Sequence, residues 1–337
     1  MALFVIDGAS LTPHSLQHGE NLEALLDEQP FFKNEPLSIG PYQLSVNGQI
    51  DETTTEQLLS EFDILRKNKK YFDKPSTALF HCVSPLRKHF AQLSSEDIAL
   101  YVNLGPANAK LADFSQWAQE NEPQSQEEFT KMMASAVVQI LPNVVMSNLA
   151  MNLEILGENT ITSGTSVSSA TVLKAATALL EADKCQGAIV ASASFPCQYF
   201  NIDAFKRFFG SDFFATPLCE GASAIALTQE ASEDALGTID SITTFKCTED
   251  ELPAEILAQR GFDLMAYEYV LLQPCHGGNF LAASEPFGLQ AVLQALNKGR
   301  EGECLGTKGK GLSVTNDYFG NYSAIEVSSR SKALSTS

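Results

Sequence analysis

The stretch that most constrains this chain is Ser168–Ala182. There Ala170, Val172, Leu173, Ala175, Ala176, Ala178, Leu179 and Leu180 leave a helical pattern without a polar face. A helix that is apolar all round is packed between other elements and not laid on a surface. Short apolar runs elsewhere are apolar on both faces too: Ile98–Leu104, Gly187–Ala193, Ala222–Leu227 and Tyr267–Leu272. Such runs predict strands buried between helix layers. Ala2–Ile6 predicts a first strand closed by the turn pair Asp7-Gly8, and Gly311–Val314 and Ala324–Val327 predict the last two. Together these features predict a large α/β fold with an internal helix layer between two sheets.

Helices are predicted between the strands. Phe129–Leu141 is one, Val144–Ile155 opens after Asn143 as N-cap, and Pro286–Asn297 is the last. The region Gly19–Lys74, with its Lys67–Lys70 cluster, reads as polar excursions over the core, Glu120–Phe129 as an acidic loop, and Ser328–Ser337 as a frayed tail.

Charge narrows the partner classes. Against 22 Lys+Arg stand 41 Asp+Glu, a formal charge of −19. That surface repels phosphate backbones and anionic lipids, so neither nucleic acid nor a membrane surface is expected as a partner. Seven Cys without a CxxC pair and five His without zinc spacing predict reduced thiols and no metal. The absence of a leader pattern and of any long apolar run is what a soluble, cytoplasmic protein shows.

Chemistry concentrates in Gly157–Ala170 (GENTITSGTSVSSA), a run of small and hydroxyl residues feeding the apolar helix. A strand-to-helix turn of this kind gathers backbone N–H groups and a side chain at the positive end of a helix dipole. That is where a nucleophile and an oxyanion hole can be built. The same residues also suit tight packing and capping of a buried helix start.

Several segments, in order, resemble the β-ketoacyl-ACP synthases of the thiolase-like fold. Gly157–Ser194 is similar to the family's nucleophile motif T-A-C-[ST]-[SG] with its long buried helix. Phe4–Pro13 (FVIDGASLTP) resembles the first strand, Leu141–Ala150 (LPNVVMSNLA) the Pro-Asn helix, and Leu218–Leu227 (LCEGASAIAL) the GEGA strand. Asn279–Gly299 resembles the GHxxGAAG helix and Gly311–Val327 the NSFGFGGTN ending. The resemblance implies a layered α-β-α-β-α fold of two similar halves. It places an N-terminal half at 1–230 with an excursion over 19–74, a shortened C-terminal half at 231–327, and a flexible tail at 328–337.

The departures carry the functional expectation. In Thr165-Ser166-Val167-Ser168-Ser169, Val167 stands where the family has its Cys. Ser166 is the adjacent candidate nucleophile, and a Ser hydroxyl needs a neighbouring base. His276 is the only candidate base in the C-terminal half, whereas the family uses two His; read backward along the motif, the family's Lys falls on Gln273. Each lost oxyanion donor costs about 3 kcal/mol of transition-state stabilisation. Thr165, Phe319 and Gly320 fall at the family's tunnel and gate, in a turn shorter and more polar than FGFGGT. The resemblance therefore implies a degenerate ketosynthase-like subunit of type II fatty acid or polyketide synthesis. It would pair with an active ketosynthase as a chain-length factor does, meet the acyl carrier protein indirectly, and use no cofactor beyond carrier-borne acyl groups. The alternatives are a Ser166-dependent acyltransferase, thioesterase or malonyl decarboxylase, and a lipid-binding protein without activity.

Overall fold

The computed structural model describes residues 3–64, 66–69, 71–105, 142–210, 214–230, 234–247, 253–274, 278–298, 309–317 and 319–329. The expected helix Phe129–Leu141, the acidic loop at 120–129, and His276 lie outside the described residues. The strands are β1 (Leu3–Leu11), β2 (Leu37–Ile39), β3 (Tyr42–Leu44), β4 (Ile98–Leu104), β5 (Asn159–Ser163), β6 (Gly187–Ser194), β7 (Gly221–Thr228), β8 (Gly237–Lys246), β9 (Tyr269–Gln273), β10 (Lys310–Asn316) and β11 (Asn321–Ser329). The helices are α1 (His18–Leu26), α2 (Glu52–Glu61), α3 (Arg66–Lys69), α4 (Lys74–Arg87), α5 (Pro142–Asn152), α6 (Ser166–Glu181), α7 (Tyr199–Phe209), α8 (Pro253–Gln259) and α9 (Ser284–Lys298).

Nine strands run in the order β5-β4-β6-β7-β1-β8-β11-β10-β9, while β2 and β3 form a separate hairpin. The order shows a duplication. Inward from β5, the first half reads third, second, fourth, fifth and first strand of its own sequence; inward from β9, the second half reads second, third, fourth and first, the same path without the outermost strand. Directions agree as well. Parallel pairs β4–β6 and β9–β10 are followed by antiparallel pairs β6–β7 and β10–β11, then β7–β1 and β11–β8. The second half is the shortened one: among the described residues nothing stands outside β9 where the first half has β5.

Where two sheets were expected, the halves are joined edge to edge by β1 and β8 over Leu3–Ile239, Phe4–Thr238 and Val5–Gly237. On its other side β8 runs so close to β11 that Gly237 has no room for a side chain: its Cβ would lie 2.3 Å from the Ser328 carbonyl oxygen. Gly237→Ala is therefore expected to cost about 2 kcal/mol in urea unfolding, the usual penalty of overpacking. An unchanged midpoint would show that the β8–β11 pair yields.

The layers follow from side-chain alternation. In β6, Ala188 and Val190 face one core and Ile189, Ala191 and Ala193 the other. The outer core is closed by α4 and α5 through Leu79, Val83, Leu86 and Leu149. The inner core holds α6 and α9, which pack between the halves. On the far side, Leu257 of α8 meets Leu312, Val314 and Ala324. The result is the expected α-β-α-β-α layering.

Several details correct the sequence reading. Asp7-Gly8 does not end β1. A register shift between Val5 and Asp7 lets the strand continue, so Leu3 and Val5 face the inner core while Ala9 and Leu11 face the outer one. Residues 19–74 are not irregular but hold α1, α2, α3 and the hairpin, and Asn143 lies inside α5 instead of capping it. Ser328 and Ser329 complete β11. The helix α6 has an open stripe at Thr171, Ala175 and Ala178, whose small side chains expose little apolar area. The helix enclosed on all sides is α9, buried continuously from Ser284 to Leu293.

Candidate functional site

The first-half site stands at the head of α6, where β5 delivers the chain through Gly164 and Thr165. A Cβ on Gly164 would lie 2.1 Å from Ser168 Oγ, so the turn requires glycine. Asn103 of β4 braces it, donating from Nδ2 to the Thr165 carbonyl (3.1 Å) and to Ser169 Oγ (2.8 Å). Ser169 Oγ in turn donates to the Ala282 carbonyl at 2.7 Å and lies 3.0 Å from Ser192 Oγ. These bonds tie the helix start to the first-half strands and to the 3-10 turn Leu281–Ala283.

Val167 is the second residue of α6 and 8 % exposed. Its side chain is aliphatic and offers no nucleophilic atom at this helix start. Ser166 is buried, and its Oγ donates to the Asn316 carbonyl at the end of β10, 2.8 Å away. No histidine or carboxylate among the described residues hydrogen-bonds to it, so its proton is held by a weak base. The candidate base, His276, lies outside the described residues.

Thr165, Phe319 and Gly320, the three candidate gate residues, lie together. Thr165 sits at the N-cap of α6, but its hydroxyl turns away from the helix and donates to Asp317 Oδ2 at 2.9 Å. Asp317 Oδ1 accepts from the backbone N–H of Phe319 and of Asn321, both at 2.9 Å. Asn321 Nδ2 adds bonds of 3.1 and 2.9 Å to the two carboxylate oxygens. Gly320 closes the turn at φ +74°, with its would-be Cβ 2.3 Å from the Cys247 carbonyl oxygen, a place open only to glycine. Phe319 is 59 % exposed and packs edge-on against Phe209 of α7, centroids 5.4 Å apart. One carboxylate therefore clamps the second-half turn onto the first-half helix.

Behind this clamp lies a polar group that sequence reading missed. Glu285, in the first turn of α9 and 1 % exposed, accepts from Thr315 Oγ1 and from Ser323 Oγ (2.5 Å). Burial without a counter-ion pushes its pKa up to about 7. Among the described residues its Oε1 finds no hydrogen-bond partner, nor do Ser313 Oγ and both amide atoms of buried Gln273. Gly288 lets these side chains close on the helix backbone, its would-be Cβ lying 3.0 Å from Ser313 Oγ and 3.1 Å from Gln273 Nε2. The available signal was the pair Glu285 and Gln290 inside an otherwise apolar helix. The thiols of Cys82, Cys185, Cys197 and Cys247 are free, and burial pushes the Cys185 thiol up to about 11. Among the described residues no cluster of His, Cys, Asp and Glu could hold a metal ion, and no helix is long and apolar enough to cross a membrane.

No family model matches the chain. No curated protein matches it either. Solved structures do. The ishigamide ketosynthase/chain length factor superposes with a TM-score of 0.74 at 16 % identity, covering 98 % of this chain and 99 % of that one. The ketosynthase ApeO in complex with its chain length factor ApeC from Xenorhabdus doucetiae gives 0.71 at 12 %, covering 97 % and 98 %. AntDE:AntF, a type II polyketide synthase acyl-carrier protein in complex with its ketosynthase, gives 0.66 at 10 %, covering 97 % and 99 %. At such identities the likeness establishes the architecture: the chain has the thiolase-like ketosynthase fold.

Proposed function

We propose that this chain is a non-condensing ketosynthase-fold subunit that pairs with an active ketosynthase and shapes its acyl product, as a chain length factor does. The observation that carries the reading is Val167 at the head of α6, where the fold would present its nucleophile. Without a thiolate there is no acyl-enzyme, and Ser166 is engaged with a carbonyl. Complexes described as ketosynthase with chain length factor stand among the structural neighbours, which supports such a partner.

The surface supports pairing as well. Among the described residues nothing pairs with the outer edge of strand β5, whose ends are exposed, a template for strand addition by a second subunit. Phe208 of α7, 81 % exposed, and Phe319 of the clamp turn, 59 % exposed, leave aromatic side chains bare, of the kind that binding interfaces cover. A net charge of −19 disfavours direct docking of an acidic acyl carrier protein, which assigns carrier contact to the partner. Co-expression with candidate ketosynthases is expected to yield a 1:1 heterodimer through affinity and size-exclusion steps. A homodimer unmixed with every ketosynthase tried would overturn the proposal.

A further inference from the structure

A cavity of about 340 Å3 lies in the first half between α7 and the β2–β3 hairpin with the chain that leaves it. Its volume falls within the ~300–1,000 Å3 of small-ligand sites. Ile202 and Leu218 line it and are buried, and Tyr42, Leu44 and Phe214 pack against them only half covered. Val46 adds a further apolar side chain. Apolar walls left partly bare around a space of this size favour a ligand with an apolar body, and the rings of Tyr42 and Phe214 favour a flat one.

Charge narrows the ligand further. Lys206 is the one charged side chain among the described residues that line the cavity. Its ammonium lies 5.0 Å from the centroid of the Tyr42 ring, and it has no ion-pair partner among the described residues. The described acids on either side are engaged elsewhere. Asp203, on the preceding turn of α7, accepts from the Tyr42 hydroxyl and pairs with Arg207 at 2.8 Å. The Tyr42 hydroxyl above all, and then Arg207, hold its carboxyl below the usual carboxylate range. Towards the hairpin, Glu35 accepts from Asn47 Nδ2 at 3.4 Å and Asp51 pairs with Lys33 at 3.0 Å, and neither lines the cavity. One unanswered ammonium thus stands beside an apolar floor. A bare inorganic anion leaves that floor uncovered, a cation is repelled by Lys206, and an uncharged ring leaves the ammonium without a counter-ion.

We propose that this cavity binds a small aromatic carboxylate, its ring against the Tyr42 and Phe214 walls and its carboxylate at Lys206. The site shares no residue with the head of α6 or with the clamp, so it stands or falls apart from the subunit role proposed above.

Calorimetric titration of the full chain tests it, with 2-naphthoate as probe and 2-naphthylmethanol as the uncharged control. The expected result is one-to-one binding of 2-naphthoate with a sub-millimolar Kd and weaker binding of the alcohol. Lys206 is exposed, so Lys206→Gln is expected to leave the fold intact while weakening 2-naphthoate about threefold to fivefold, the size of one solvent-exposed charge pair, with no effect on the alcohol. Ser45, also exposed and on the cavity wall, takes a bulky ring in Ser45→Trp, which is expected to abolish binding of both compounds. Should Ser45→Trp disturb the fold, read by circular dichroism, Lys206→Gln decides alone. No saturable binding, equal binding of acid and alcohol, or an unchanged Kd for 2-naphthoate in Lys206→Gln overturns the proposal. The net charge of −19 repels anions from the surface as a whole, so binding that ignores Lys206 overturns it as well.

Discussion

Asp317→Ala is expected to lower stability by about 3–4 kcal/mol, the largest loss among the polar substitutions considered. The carboxylate accepts from two backbone N–H groups, from the Asn321 amide and from the Thr165 hydroxyl. Hydrogen bonds to a charged group contribute about 1.5–3 kcal/mol each and are not additive within one network. Alanine leaves the N–H groups of a left-handed turn without acceptors while unfastening the second half from α6. Thr165→Val removes a single donor and is expected to cost about 1 kcal/mol. The pair forms a double-mutant cycle. Urea unfolding should show coupling, because once Asp317 is gone Thr165→Val has little left to remove. Additive losses would mean that the two halves are not fastened here.

Glu285→Gln is expected to stabilise the protein at alkaline pH and to lose that advantage in acid. The folded pKa of Glu285 is raised to about 7 by burial, against about 4.3 for an unfolded glutamate. Between these values the folded chain holds a proton that the unfolded chain has released. Stability therefore falls as pH rises through this window, and the full penalty, on the order of 3 kcal/mol, applies above it. Glutamine keeps an oxygen for Thr315 and Ser323 without the charge. The stability difference between variant and parent should thus grow by about 2–3 kcal/mol from pH 5 to pH 8. Glu220, also raised to about 7 by burial and held partly back by Lys74, adds a slope of the same sign to both proteins and cancels in the comparison. Parallel stability curves would show that Glu285 is not the buried, unneutralised acid described here.

Much of this architecture is legible in the sequence where burial leaves a compositional trace. Ile98–Leu104 is β4 to the residue, because a strand covered on both faces is apolar throughout. Edge and junction strands leave no such trace. Asn159–Ser163, half exposed at the rim, reads as a polar loop, and Gly237–Lys246 mixes charges with β-branched residues. The buried helix α4 is masked by two prolines, although Asp73 capping Ser76 with Pro75 in the first turn is a start signal. At the site, the small-residue run marks the head of α6 and places Val167, Ser166 and Thr165 there. Asp317 carries no comparable mark. Its bond to Thr165 spans 152 positions and exists only because the two halves pack. Glu285 is easily passed over for a related reason: beside Gln290 it reads as the solvated side of a helix.

The central claim is that this subunit takes part in chain elongation without forming an acyl-enzyme. The most direct measurement reconstitutes it with a partner ketosynthase and malonyl-loaded carrier protein and follows products by mass spectrometry. The account predicts that the product requires both subunits, is unchanged by Ser166→Ala, and vanishes when the partner's nucleophilic cysteine is replaced by alanine. Product from this chain alone, or an acyl adduct on Ser166 that Ser166→Ala removes together with the product, would contradict it.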